Sequence, residues 1–218
     1  LEYTSNSSVE YSGQTAWAGK FDGMAIGAAD STRLVVAGIS AARSAGGSHT
    51  VSACTIGGET ASLVVRQETT NNDVCELWAA TVPTGTTADV DITFSATCNK
   101  AGVGLWRLTN AATTATETAS DSGGIPYAAN LEIPEDGVGI GYFNNVQEDA
   151  DGGSAGNRTT WTNLTKDFDA QFANTPHLGN ANSHSGASSD TEGDLLRTAT
   201  PPSDRAYYSL VLAAFGPA

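Results

Sequence analysis

The chemistry-bearing residues that stand closest together in this chain are carboxylates. Asp149 and Asp151 follow Glu148 and open the run Asp-Ala-Asp-Gly-Gly-Ser-Ala-Gly-Asn, which ends at Asn157. Carboxylates two apart in a glycine-rich loop are how a wrap of hard oxygen ligands around Ca²⁺ begins. The later positions depart from that pattern. Gly153 stands where a third Asp or Asn belongs, Ser154 where the sharp turn requires Gly, and Thr160 where a bidentate Glu closes the site. A solvated acidic loop is the favoured reading, with Asp149 and Asp151 kept as the calcium candidates. Asp190 to Asp194 is a second, sparser oxygen cluster. A transition metal would have to use His177 and His184, without a Cys at useful spacing. No cofactor is expected.

Nucleophilic chemistry finds little to build on. Ser, His and Asp abound, but no G-x-S-x-G elbow occurs, and His49, His177 and His184 lie in polar Ser/Gly/Asn stretches that point to solvent. Asp89 and Asp91 share one face of an alternating strand and read as an outward acidic face, not a glycosidase pair. Gly-rich stretches precede no helix, so a phosphate cradle is not expected. The sequons at Asn6, Asn157 and Asn163 occur at the chance level of a Thr-rich chain. Among the aromatics, Trp78 and Trp106 sit in apolar strands and read as core. Trp161 lies among Arg158, Thr159, Thr160, Thr162 and Asn163. That polar setting makes Trp161, with Arg158 and Asn163, the expected contact to a ligand or partner.

Composition narrows the partner classes. Against 24 acidic residues stand 10 basic ones, a net charge of −14. Phosphate neutralisation needs the opposite sign, so neither nucleic acid nor an anionic membrane is an expected partner. No apolar run approaches the roughly 20 residues of a membrane-spanning helix. Cys54, Cys75 and Cys98 cannot all pair within one chain, and each sits in or beside an apolar strand. They read as buried thiols, with a Cys75–Cys98 or Cys54–Cys75 bridge as the alternative. No signal-peptide pattern is present, and the opening on Leu1 without Met leads us to expect a processed chain or one cut from a longer protein.

The elements that must position these residues are strands. Val90, Ile92, Phe94 and Ala96 alternate with Asp91, Thr93 and Ser95, a period of two with one dry face. Pro83 to Thr87 before them is a turn, and Gly57-Gly58 is a hairpin turn. Leu34 to Ile39 and Tyr207 to Phe215 are apolar on both faces and are expected as central strands, neighbours in one sheet. Val138 to Phe143, with Gly at alternate positions, is expected as an interior strand whose glycines let bulky rings or another segment approach. Asn163 to Phe172 is expected as a short turn or strand flank. The predicted fold is all-β, an antiparallel two-sheet β-sandwich, jelly-roll-like. Residues 1–13 are a polar arm or linker, and 14–218 a single domain with long polar loops near 147–160 and 174–194.

One resemblance emerges from these strands. It is carried by Arg33 to Val36, Ile56 to Gly58, Glu76 to Trp78, Pro83 to Thr86, Val90 to Phe94, Val103 to Leu108 and the closing YYSLVLAAFGPA. This order resembles a β-sandwich module of tailed-bacteriophage virion structural proteins, of the fibre, tail or capsid-decoration type, also seen in some bacterial surface proteins. It covers roughly half the chain and consists of fold-forming residues. The resemblance implies a non-enzymatic virion-surface protein whose partners are other virion proteins and further copies of itself. The alternative is an adhesion module, on a virion or a bacterial cell surface, that recognises host-surface glycans through Trp161 and the Gln147 to Asp194 loops.

Overall fold

The computed structural model describes residues 1–42, 49–67, 73–124, 126–147, 160–171, 180–188, 193–200 and 207–218. These residues are all-β. In chain order the strands are β1 Glu2–Ala16, β2 Met24–Ala25, β3 Leu34–Ala42, β4 Val51–Ile56, β5 Glu59–Thr60, β6 Ser62–Gln67 and β7 Asp73–Thr81. Next come β8 Thr87–Ala88, β9 Val90–Leu108, β10 Glu117–Asp121, β11 Tyr127–Ile133 and β12 Val138–Gln147. The last are β13 Thr160–Thr162, β14 Thr165–Gln171, β15 Asn180–Ser188, β16 Gly193–Thr200 and β17 Tyr207–Phe215. Every pairing among them is antiparallel.

The largest sheet is organised by β9, whose 19 residues pair with three other strands. At Thr93 its partners are Ala16 on one edge and Ala53 on the other; at Val103 they are Ser7 and Ile39. So β1 runs along one edge of β9, while β3 and β4 lie end to end along the other. The order is β5-β4-β9-β3-β7-β6, with β1 added on β9. Side chains from this one sheet meet in a single core: Val35 and Ile39 of β3, Ile56 of β4, Trp78 of β7, and Ile92 and Phe94 of β9, closed by Trp17 and Phe21. Strands of one sheet can face one another this way only if the sheet curls. Gly57 and Gly58, at φ 60° and 82°, make the tight β4–β5 turn that the sequence predicts.

A second core lies between the outer face of the curled sheet and a five-stranded sheet of order β10-β17-β12-β15-β14. A third lies on the far face of that sheet, beneath the three-stranded β11-β16-β13. The arrangement is sandwich-like, with a sheet beyond the sandwich. It explains the doubly apolar runs. In β17, Val211, Ala213 and Phe215 enter the second core, while Leu210, Leu212 and Ala214 enter the third. In β3 the alternation sends Val35 inward and Leu34 and Val36 outward. The expectation that β3 and β17 are neighbours in one sheet is corrected: β17 pairs with β10 and β12. Burial on both faces reports stacked layers, and a period-two pattern carries no information on which strand lies alongside.

Two segments read as irregular are strands. Residues 1–13, expected as an arm or linker, belong to β1, which pairs with β9 from Glu2↔Arg107 to Ala16↔Thr93. Within 174–194, expected as a loop, β15 lies between β12 and β14. Backbone hydrogen bonds on both edges hold it, and an Asn/Ser/Gly/Ala composition leaves no hydrophobic period to reveal them. Asn163 to Phe172 gives β14. Of the 147–160 stretch, 148–159 lies outside the described residues.

Glycines set how closely the layers approach. A side chain at Gly139 would come within 2.5 Å of Ile133, and one at Gly141 within 2.7 Å of Leu164 and 2.9 Å of Trp161. The expectation that these positions seat bulky groups holds. A side chain at Gly104 would come within 2.5 Å of Phe168, and one at Gly38 closer still to the Tyr142 ring. Gly38→Ala is expected to destabilise the fold by about 1–3 kcal/mol, the range for overpacking a tight core. Urea unfolding of the two proteins measures this, and an unchanged midpoint would show that the Tyr142 ring is free to move away.

Candidate functional site

Only part of the predicted contact set falls within the described residues. Asp149, Asp151 and Arg158 lie outside them, as do Asp190 and His177. Trp161 stands on β13, opposite Ala199 of β16. Its ring is half-buried against the third core, over the space left by Gly141, and its buried Nε1 has no acceptor among the described residues. Asn163 follows at φ 59°, exposed, and its Nδ2 donates to the Leu196 carbonyl at 2.8 Å. Trp161 thus packs inward while Asn163 ties β13 to β16 from outside. Among the described residues no group of three or more His, Cys, Asp or Glu could hold a metal ion.

The other polar groups singled out from the sequence act within the scaffold. Asp89 accepts from the Gly23 amide at 2.7 Å and Asp91 from the Gly19 amide at 3.1 Å. Together they hold the 17–24 turn across the open end of the curled sheet. His49, expected in solvent, is instead buried, with its ring 6.5 Å from that of Phe94 at the entry to β4. The polar composition of its neighbours concealed that the next residues turn straight into a core strand. Cys54, Cys75 and Cys98 are buried thiols, and burial pushes Cys54 up to about 12. Trp17, Trp78, Trp106 and Tyr142 are core residues, not a sugar platform.

Three buried networks were not legible as such. Arg33 is fully buried, its guanidinium donating to carbonyls of Val82 (2.6 Å), Gly27 and Ala28 (both 2.9 Å), Gly85 (3.0 Å) and Thr84 (2.5 Å). Carbonyl dipoles replace a carboxylate, and the cage fastens the 26–28 and 82–85 segments together. Burial, with Arg107 nearby, lowers its proton affinity. Glu76 on β7 accepts from Arg66 Nε at 2.8 Å, the Trp78 indole at 2.7 Å and the Val51 amide at 2.9 Å, binding β4, β6 and β7. Asp167 stands in a β-bulge of β14, between Lys166↔Gly186 and Phe168↔Ser185. The extra residue turns its carboxylate to the Trp106 indole, which donates to it at 2.8 Å. Tyr3, stacked on Phe168 at 5.2 Å, completes this joint between the two largest sheets.

Two surface features remain open. The first is the outer edge of β1, which pairs with β9 and with no other described strand. The second is a groove of about 610 Å³ between β5–β6 and the 113–118 segment. Its cause is local. The Ala61 amide is drawn to the Cys54 carbonyl at 3.0 Å, which pulls the chain away from β7 into the β4–β5 hairpin. Pairing of β6 with β7 therefore begins only at Ser62↔Ala79, leaving Ala80 and Thr81 without a partner on β6. Leu63, 41% exposed, and Val64, set out of register by a bulge, line one side; Thr113, Thr114 and Thr118 line the other. Glu59 is the one ionisable group among the described lining residues. The run SLVV reads only as a strand, and nothing in it signals a gap produced by a hairpin five residues earlier.

Comparison of this chain with family models, with curated proteins and with solved structures found no match.

Two outcomes follow from the buried charges. Arg33→Lys is expected to cost on the order of 2–4 kcal/mol, because a compact ammonium leaves cage carbonyls without donors; chemical denaturation reads it. Burial holds the Asp167 carboxyl above its ordinary 3.8, against the lowering effect of the Trp106 bond. The folded chain therefore keeps a proton the unfolded chain has lost. Its stability contribution is full below about 4 and is lost as pH rises through the raised folded value. The stability of the native protein minus that of Asp167→Asn should fall across this acid window, and a flat difference would refute it.

Proposed function

We propose that this chain is a non-enzymatic structural protein of a tailed-bacteriophage virion, a capsid-surface decoration or a fibre or tail component, acting through protein–protein contacts. In the same reading the curled sheet and the five-stranded sheet are a jelly-roll-like sandwich to which the outer sheet has been added. The observation that carries the reading is the open edge of β1. This strand has 15 residues, about 50 Å at a rise near 3.4 Å per residue. Every second residue turns its N–H and C=O away from β9. Monomeric proteins blunt such edges with Lys, Pro or very short strands, and β1 has neither Lys nor Pro. Its register is unbroken from Ser5 to Glu10. A strand of that kind is suited to pairing with another virion protein or a second copy.

The charges engaged within the scaffold support the same reading. Arg33, Glu76, Asp89 and Asp91 are spent on holding the chain's own loops and strands. Light scattering after size-exclusion chromatography, together with assay of purified particles for the chain, tests the role. Concentration-dependent assembly and presence on particles are expected. Asn6→Lys, which places an edge charge on β1, should weaken assembly at least several-fold. A protein that stays strictly monomeric and is absent from particles would overturn the reading.

A further inference from the structure

We propose that the groove beside β6 is a strand-addition site for an extended, basic segment of a partner protein, anchored by an aliphatic side chain. This deepens the proposed role, on which it rests for the existence of a partner chain, but it concerns a different surface from β1. The argument begins with the edge. β6 ends the order of the curled sheet and pairs only with β7 among the described strands. Its far end is tied to the five-stranded sheet, where Gln67 Nε2 donates to Ser122 Oγ at 3.2 Å. Its near end, Ser62 to Val64, opens on the groove. Backbone groups on a free edge and side-chain space beside it are the two components of strand addition: main-chain bonds supply affinity, and pockets for alternate side chains supply specificity.

The lining selects the ligand class. The volume, about 610 Å³, falls within the roughly 300–1,000 Å³ of ligand sites. Among the described residues no aromatic ring lines it to give a sugar or nucleobase a stacking platform. Nor does any described Lys, Arg or His line it to give an anion a counter-charge. Hydroxyls surround a small aliphatic patch of Leu34, Leu63 and Ala79, which suits a branched aliphatic side chain carried on a hydrogen-bonding backbone. Glu59, exposed at the rim of a chain with net charge −14, favours Lys or Arg beside that anchor. The same net charge opposes a second copy as the occupant.

The probes are two blocked peptides, acetyl-Lys-Thr-Leu-Thr-Lys-amide and acetyl-Glu-Thr-Leu-Thr-Glu-amide, titrated into the ¹⁵N-labelled full chain. The basic peptide is expected to shift the amides of 62–65 and 113–118 saturably, and the acidic one to bind at least tenfold more weakly. Glu59→Lys should reverse that preference. Thr114→Trp should fill the groove and abolish the shifts while leaving amides elsewhere unchanged. No saturable shift at millimolar peptide, equal binding of both peptides, or shifts confined to β1 would each overturn the proposal. So would broadening confined to the groove amides as protein concentration rises, which would make a second copy the occupant. The two readings fail separately. Absence from particles with intact peptide binding ends the virion role alone; presence on particles with a groove blind to both peptides ends this proposal alone.

Discussion

Face-to-face sheets pack about 10 Å apart, and the five-stranded sheet here has a neighbour on each side. Much else in the molecule answers to that constraint. At several points of that gap rings and branched chains are set against bare backbone. Tyr142 lies on Gly38, Phe168 on Gly104, Ile133 on Gly139, and Leu164 with Trp161 on Gly141. The last pair shows how packing can override what local composition suggests. Trp161 reads from its neighbours as a surface contact, yet the seat at Gly141 draws its ring towards the third core.

Close stacking also governs the buried charges. A charge removed from water must have its hydrogen bonds replaced, or the fold bears the desolvation. Arg33 meets this with carbonyls and no carboxylate, so one side chain gathers segments about fifty residues apart in sequence. Glu76 meets it with two side-chain donors and one amide from three different strands. Asp167 is met by a single indole, and burial pushes its protonation toward the neutral form. The better-satisfied charges sit in the curled sheet, while the carboxylate with one donor sits at the joint between layers.

The strand grammar was legible because turns and alternation are local. Gly57-Gly58 and the run Val90–Phe94 declare themselves within a few residues, and both are found as read. What escaped the sequence depends on partners distant along the chain. β15 has a composition without a hydrophobic period and owes its place to two flanking backbones. β3 and β17 look alike because each is covered twice, though different sheets hold them. The groove could not be read at all, since it is an absence produced by the Ala61 amide reaching back to Cys54. Trp161 and Asn163, expected together as a ligand or partner contact, diverge, one inward and one outward, as set by φ 59° at Asn163 and by Gly141.

The pairing of β1 with β9 has a consequence for how the chain comes to be folded. Glu2 is joined to Arg107, 105 residues away, at 3.3 Å. During synthesis at about 5–20 residues per second, the β1 segment waits many seconds for the strand that will receive it. Contacts of such long span are the slow ones, and an unpaired hydrophobic strand would spend that interval seeking other chains. The Ser- and Thr-rich composition of EYTSNSSVEYSGQTA answers the hazard. It keeps the waiting segment solvated, so its pairing depends on backbone geometry offered late by β9 and not on early collapse. The polarity that made these residues look like a tail is what allows them to arrive last.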